Sequence, residues 1–137
     1  MKRAIVAIML IAALCLTLMA CGGKESELSF TNKLSTVAHS VYISHESEGE
    51  WGEPINSAKI NSGSTIRFDF EKLGTYGPGV YDVAVVDENN VNYDVYEVTL
   101  AIGDSITFSA NGDTAVVTVT SASGSSTTYE GISYAGE

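Results

Sequence analysis

From Leu28 onward, apolar residues recur at alternate positions in short runs, and the spacing of an amphipathic helix is missing. Successive side chains of a strand point to opposite faces, so text of period two folds into half-buried strands. Ile66, Phe68 and Phe70 alternate with Thr65, Arg67 and Asp69, which gives one apolar face and one charged face. Ile102, Ile106 and Phe108 share a phase, with Asp104 between the first two, and Ala115, Val117 and Val119 alternate with Thr114, Thr118 and Thr120. Val80 to Val86 is apolar on both faces apart from Asp82, the pattern of a central strand. Leu28 to Asn32, Ser40 to Ser44 with Val41 and Ile43 facing in, and Thr127 to Tyr134 complete the set.

Turn chemistry separates these runs. Asn111, Gly112 and Asp113 place a dipeptide tolerant of positive φ between two strands, the signal of a tight hairpin. Asp87 to Asn92 separates a second pair by a longer turn. Val91, Tyr93 and Val95 occupy odd positions, whereas Tyr96, Val98 and Leu100 occupy even ones, so a β-bulge is expected near Val95 and Tyr96. Gly74 to Gly79, with Pro78 inside, reads as a loop, and Ser121 to Ser126 as a polar linker. Seven or eight short strands then fit an all-β domain over residues 28–137, a two-sheet antiparallel β-sandwich of Ig-like kind.

Before this domain stands text of another kind. Lys2 and Arg3 precede an apolar run from Ala4 to Ala20 broken only by Thr17, which reads as the n-region and h-region of a signal peptide. At its end Leu18, Met19, Ala20 and Cys21 resemble the lipobox of bacterial lipoproteins. That resemblance implies cleavage after residue 20, lipid attachment at Cys21, acylation with palmitate-type chains and a short tether over residues 21–27. An uncleaved anchor is the competing reading, because the run is near the short end of what spans a bilayer. Cys15 leaves with the signal and Cys21 is taken by lipid. The exported part is then without a thiol for a disulfide, a metal or a nucleophilic role.

Charge narrows the partners. The chain has 17 acidic against 7 basic side chains and a formal charge of -10; without Lys2 and Arg3 the balance is 5 against 17, or -12. Such a surface opposes phosphate backbones, so nucleic acid is excluded as a partner. It also repels anionic headgroups, which leaves the lipid on Cys21 as the contact with the membrane. The expected location is the extracytoplasmic face of a bacterial cell membrane. No glycine-rich turn leads into a helix and no serine sits in a nucleophile elbow, so the chain is expected not to be an enzyme and to carry no cofactor.

Several residues remain candidates for binding. His39 and His45 flank the strand Ser40 to Ser44 and, with Glu46 or Glu48, could make a two-histidine, one-carboxylate zinc site, against the plainer reading of solvated strand ends. Asp87, Glu88 and Asn89, followed by Asn90, offer calcium-type oxygen ligands, and the same residues also serve turn geometry alone. Trp51 lies among Glu46, Glu48, Glu50 and Glu53. It serves either as a cover over an open sheet edge or as an aromatic platform rimmed by acceptors, as in sugar recognition. Tyr42, Tyr93, Tyr96, Tyr129 and Tyr134 include residues whose phase points outward; Tyr42 and Tyr96 join Trp51 as candidates for a ligand or partner surface.

Phe30 and Asn32, then Val41, Tyr42, Ile43 and Ser44, then Trp51 and Gly52, Gly63, Tyr81 and Asp82, Asp87, and Asp104 to Thr107 together resemble small bacterial exported domains of unassigned function. The resemblance covers roughly residues 28 to 109. It implies a fold and brings no reaction with it. In such domains a proline often follows the serine of the second strand, where this chain has His45. The expectation is a lipid-anchored, non-catalytic binding module with a cell-wall, glycan or protein partner. The alternatives are a calcium-stabilised structural domain and a zinc enzyme using His39 and His45.

Overall fold

The structure is a computed structural model and describes residues 26–136. The segment expected to be a signal peptide, Cys21 and most of the expected tether lie outside the described residues. Eight strands form: β1 (Glu27–Asn32), β2 (Ala38–His45), β3 (Thr65–Asp69), β4 (Gly79–Asp87), β5 (Val91–Leu100), β6 (Ser105–Asn111), β7 (Thr114–Thr120) and β8 (Ser126–Ala135). A single 3-10 turn, Phe70–Leu73, follows β3.

The strands do not divide into two separately bonded sheets. They join in one eight-stranded sheet of order β2-β4-β5-β8-β7-β6-β1-β3, curled into a half-barrel. The pair of β1 and β6 is parallel and the other neighbours are antiparallel, so the sheet is mixed. Strand β8 joins the two flanks. It pairs with β7 from Ser126 to Ile132, and its end, Ile132 to Ala135, pairs with the start of β5, Val91 to Asp94.

Gly131 sits where β5 passes over this junction. A Cβ there would lie 1.9 Å from the carbonyl oxygen of Asp94, so only glycine admits the approach that curls the sheet. Inward residues fill the hollow: Phe30 and Phe108 meet at 6.1 Å between ring centroids, and Phe70 meets Tyr81 edge-on at 5.9 Å. These rings, with Val83, Val95 and Val117, are buried, and their removal from water is the main drive for the fold.

Local departures from simple alternation have local causes. Phe70 is buried but leaves the strand, because the Asp69 carboxylate accepts the Glu71 N–H at 3.1 Å and starts the 3-10 turn. Ile102 falls in a turn and is exposed: Asp104 accepts the Ala101 N–H at 2.7 Å, and Gly103 takes a positive φ. The expected bulge is present on β5. Tyr81 pairs with Val98 and Val83 with Val95, so two residues of β5, Tyr96 and Glu97, stand against one of β4, Asp82, and Glu97 takes φ 61°. Its N–H donates to the Asp82 carboxylate at 3.0 Å. Ser121 to Ser126 forms the turn of the β7–β8 hairpin, closed by the Ser121 N–H to Ser125 carbonyl bond of 2.8 Å.

The free edge of β2 is covered by the segment that follows it. Ile55 donates to the Val41 carbonyl at 2.8 Å, the Asn56 side chain accepts from the Val41 N–H at 2.9 Å, and Ala38 and Ile60 form an isolated bridge. An edge whose backbone groups are already bonded offers no template to another strand. Asn32 fixes the far end of this segment. Its amide donates to the Thr36 and Ile60 carbonyls, and its side-chain oxygen accepts the Leu34 N–H at 3.0 Å. Every polar atom of that buried side chain thus has a partner.

Candidate functional site

The convex face of the sheet carries the outward residues of β2, β4 and β5. Tyr42, between buried Val41 and Ile43, points outward and pairs laterally with Ala84, which pairs in turn with Asp94. Tyr96 lies two residues beyond Asp94, at the bulge. Ala84 is only 4% exposed although its phase is outward. Its side chain is small and lies between Tyr42 and Asp94.

Trp51 reaches this face from the loop after β2. The chain turns back after β2, and the Ser44 hydroxyl donates to the Glu50 carbonyl at 3.0 Å, which sets the position of the next residue. The indole stands 6.4 Å from the Tyr42 ring, at 52°, and 6.0 Å from the Tyr96 ring, at 34°. Both distances fall within the range of favourable aromatic pairs. The three residues singled out from sequence, Tyr42, Trp51 and Tyr96, therefore form one cluster built from β2, its following loop and β5. Trp51 is half-buried and Tyr96 is 52% exposed, so the cluster remains partly open to solvent while it covers the sheet.

Beside the rings lies a cleft of about 230 Å³ lined by Ser44, Glu48, Glu50, Trp51, Asp82 and Tyr96, with the backbone of Gly49. Three of those side chains are carboxylates and none is basic. A wider cleft of about 580 Å³ adjoins it and shares Ser44, Glu48, Glu50 and Trp51; Lys72 and Tyr76 stand on its other side. His45 stacks on Tyr76 at 4.0 Å and meets Tyr81 edge-on, while its Nδ1 lies 2.8 Å from the Ser47 hydroxyl. The Tyr76 hydroxyl donates to Glu48. That bond, more than the charge of Glu48, raises the Tyr76 pKa above its ordinary value. It also ties the acidic loop to the turn that precedes β4.

Asp94, which reading strand by strand does not single out, supports this cluster from within the sheet. It is buried on the outward face and accepts from two tyrosine hydroxyls, Tyr96 at 3.1 Å and Tyr134 at 2.9 Å. Burial, then the charge of Asp94, raises the Tyr96 pKa and keeps its hydroxyl protonated. The only sequence signal was a carboxylate in mid-strand, two residues before an outward tyrosine. Tyr134 lies 40 residues away, and no local pattern ties the two together.

The metal candidates fall elsewhere and do not converge. Among the described residues no group of three or more His, Cys, Asp or Glu side chains is placed to hold a metal. His39 sits at an irregularity of β2 and bonds Ser40, whereas His45 joins the tyrosine stack. Asp87 ends β4 and is nearly buried. Its Oδ1 accepts from the Asn89 and Val91 N–H groups, each at 2.9 Å. Its Oδ2 accepts from the Thr36 hydroxyl at 2.8 Å and the Tyr93 hydroxyl at 3.3 Å. Burial alone would raise its pKa, and the four donors together outweigh that and lower it. Glu88 accepts the Val37 N–H at 3.2 Å, and Asn89 forms the turn. The carboxylate of Asp87 is thus committed to closing the β4–β5 turn.

Among the described residues no helix is long and apolar enough to cross a membrane. Comparison with protein-family models, with curated proteins and with solved structures finds no match to this chain.

Proposed function

We propose that this protein is a lipid-anchored bacterial surface protein that acts as a non-catalytic binding module, with the Tyr42–Trp51–Tyr96 cluster as its ligand-bearing surface. One observation carries the reading: three aromatic side chains from separate parts of the chain meet on the solvent side of the sheet, next to an open cleft. Rings placed only for stability are normally driven inward with the core, whereas these lie on the far side of the sheet from Phe30 and Phe108. The lipid anchor is supported by the run from Ala4 to Ala20 that ends in Leu18, Met19, Ala20 and Cys21. Two or more acyl chains on Cys21 hold a protein at a bilayer far more firmly than one. The Ig-like, two-layer description of the scaffold belongs to the same proposal: Tyr93 of β5 meets Phe108 of β6 at 6.2 Å across the interior, which supports reading the two flanks of the curled sheet as facing layers.

The anchor is tested by expression of the full chain in bacteria fed labelled palmitate. Label on the protein, and its recovery with membranes, are expected for the native chain and are lost in Cys21→Ser. Retention of label in that variant refutes lipidation at Cys21. The binding surface is tested by comparing native and Trp51→Ala chains in a glycan, cell-wall and peptide screen. A ligand captured by the first and lost by the second is the expected result.

A further inference from the structure

We propose that the cleft beside Trp51 and Tyr96 takes the ammonium or guanidinium side chain of a basic peptide segment. This rests on the binding-module reading and names the ligand chemistry of the same site. The cleft is lined by two aromatic residues, Trp51 and Tyr96, and three carboxylates, Glu48, Glu50 and Asp82, with no lysine or arginine among its lining residues. A cation over an aromatic face is attracted by the negative potential of the ring, most strongly for tryptophan. Glu48 and Asp82 each already accept one hydrogen bond, from the Tyr76 hydroxyl and the Glu97 N–H; a neutral sugar can add hydroxyl donors but brings no positive charge to offset the three carboxylates, whereas a cation does.

The support under the rings has the same sign. Tyr96 and Tyr134 donate their hydroxyls to Asp94, so a buried negative charge lies behind the outer surface and makes those rings richer in electron density. Among the described residues, the hydrogen bonds to that carboxylate come from tyrosine hydroxyls and not from a basic side chain. Excess negative charge over the whole chain, 17 acidic against 7 basic residues, adds long-range attraction for a basic partner. The length of the groove favours a peptide over a lone cation. The cleft shares Ser44, Glu48, Glu50 and Trp51 with the wider one, whose lining also includes His45, Tyr76 and one cation, Lys72, so neighbouring uncharged residues of an extended chain have surface to lie on.

The experiment uses the full lipidated chain in polyoxyethylene detergent micelles, which present no sugar headgroup. Trp51 is the only tryptophan and reports directly on the site. Probes are a blocked tetralysine peptide, tetramethylammonium and the neutral sugar chitotetraose, each also titrated by calorimetry. The expected result is a saturable change in Trp51 emission with tetralysine, binding weakened about tenfold in Trp51→Ala, and a severalfold loss in Glu50→Gln and in 0.5 M salt. Glu50→Gln leaves the loop intact, because the Glu50 backbone carbonyl makes the bond to Ser44.

Tetralysine binding of equal strength in Trp51→Ala marks diffuse charge attraction and overturns the inference. Tetramethylammonium binding as tight as the peptide overturns the peptide assignment. Chitotetraose binding that needs Trp51, with no response to tetralysine, overturns the cationic ligand and leaves the binding-module reading standing. Silence of all three probes overturns the inference, and a screen equally blank for native and Trp51→Ala chains overturns the binding surface as well.

Discussion

Replacement of Asp87 separates turn-building from metal-binding by magnitude and by pH. Asp87→Ala removes an acceptor from four donors at once: the N–H groups of Asn89 and Val91 and the hydroxyls of Thr36 and Tyr93. A hydrogen bond to a charged group contributes about 1.5–3 kcal/mol when well shielded. Here the four donors are only partly buried, so water recovers part of the loss, and the 3.3 Å bond of Tyr93 is beyond the usual distance for an O–H donor. The expected cost is about 3 kcal/mol, a large share of the roughly 5–15 kcal/mol that holds a domain folded. Asp87→Asn keeps an oxygen for the two N–H groups, while the hydroxyls can turn to accept from the new amide. Its cost should be about 1 kcal/mol.

Urea unfolding followed by far-ultraviolet circular dichroism measures both. The pH dependence supplies the sign. The pKa of Asp87 is lowered in the folded state, so its contribution is fully present above the ordinary aspartate value and is lost as pH falls through the depressed folded value. The difference between native and Asp87→Asn chains should therefore shrink on acidification below pH 4. Calcium or a chelator should leave the native midpoint unchanged. Equal losses for alanine and asparagine, or a calcium-dependent midpoint that disappears in Asp87→Ala, would show that the carboxylate serves something other than the turn.

Three further substitutions probe the scaffold. Asp104 has the opposite sign: burial, opposed by the Ala101 N–H, raises its pKa, so its cost is absent below the ordinary aspartate value, grows as pH rises from there and is full above the raised folded value. Asp104→Asn should leave stability at pH 7 unchanged or slightly higher, with the gain fading at acid pH, as read by thermal melts across that range. Asn32→Ala strands the buried Leu34 N–H and takes one donor each from the Thr36 and Ile60 carbonyls. Ile60 keeps the bond from Ala38, so the expected loss is about 2–4 kcal/mol in urea. Gly131→Val forces a side chain into the backbone of Asp94 and Val95 and should cost more than about 3 kcal/mol, with hydrogen exchange accelerated first along the β5–β8 ladder.

The strands were legible because period two is a local signal. Eight strands form over the runs read from residue type, with Phe70 and Ile102 lost from the ends of two of them, the bulge in β5 falls at the phase shift, and Asn111–Asp113 forms its hairpin because Gly112 can take φ 63°. Lateral order has no such signature. Strand β8 inserts between β5 and β7 because a glycine at 131 lets β5 approach, and nothing in the run Thr127 to Tyr134 says which partners it finds on either side. The site divides along the same line. Alternation marks Tyr42 as outward and the bulge re-aims Tyr96, but their meeting with Trp51 depends on β4 lying between β2 and β5 with the small Ala84 facing out. The pairing of Asp94 with Tyr134 depends on β8 docking against β5. A β-sheet surface is assembled across strands, so residue type can be read along the chain while the combination that could bind a ligand becomes visible only once strand order is known.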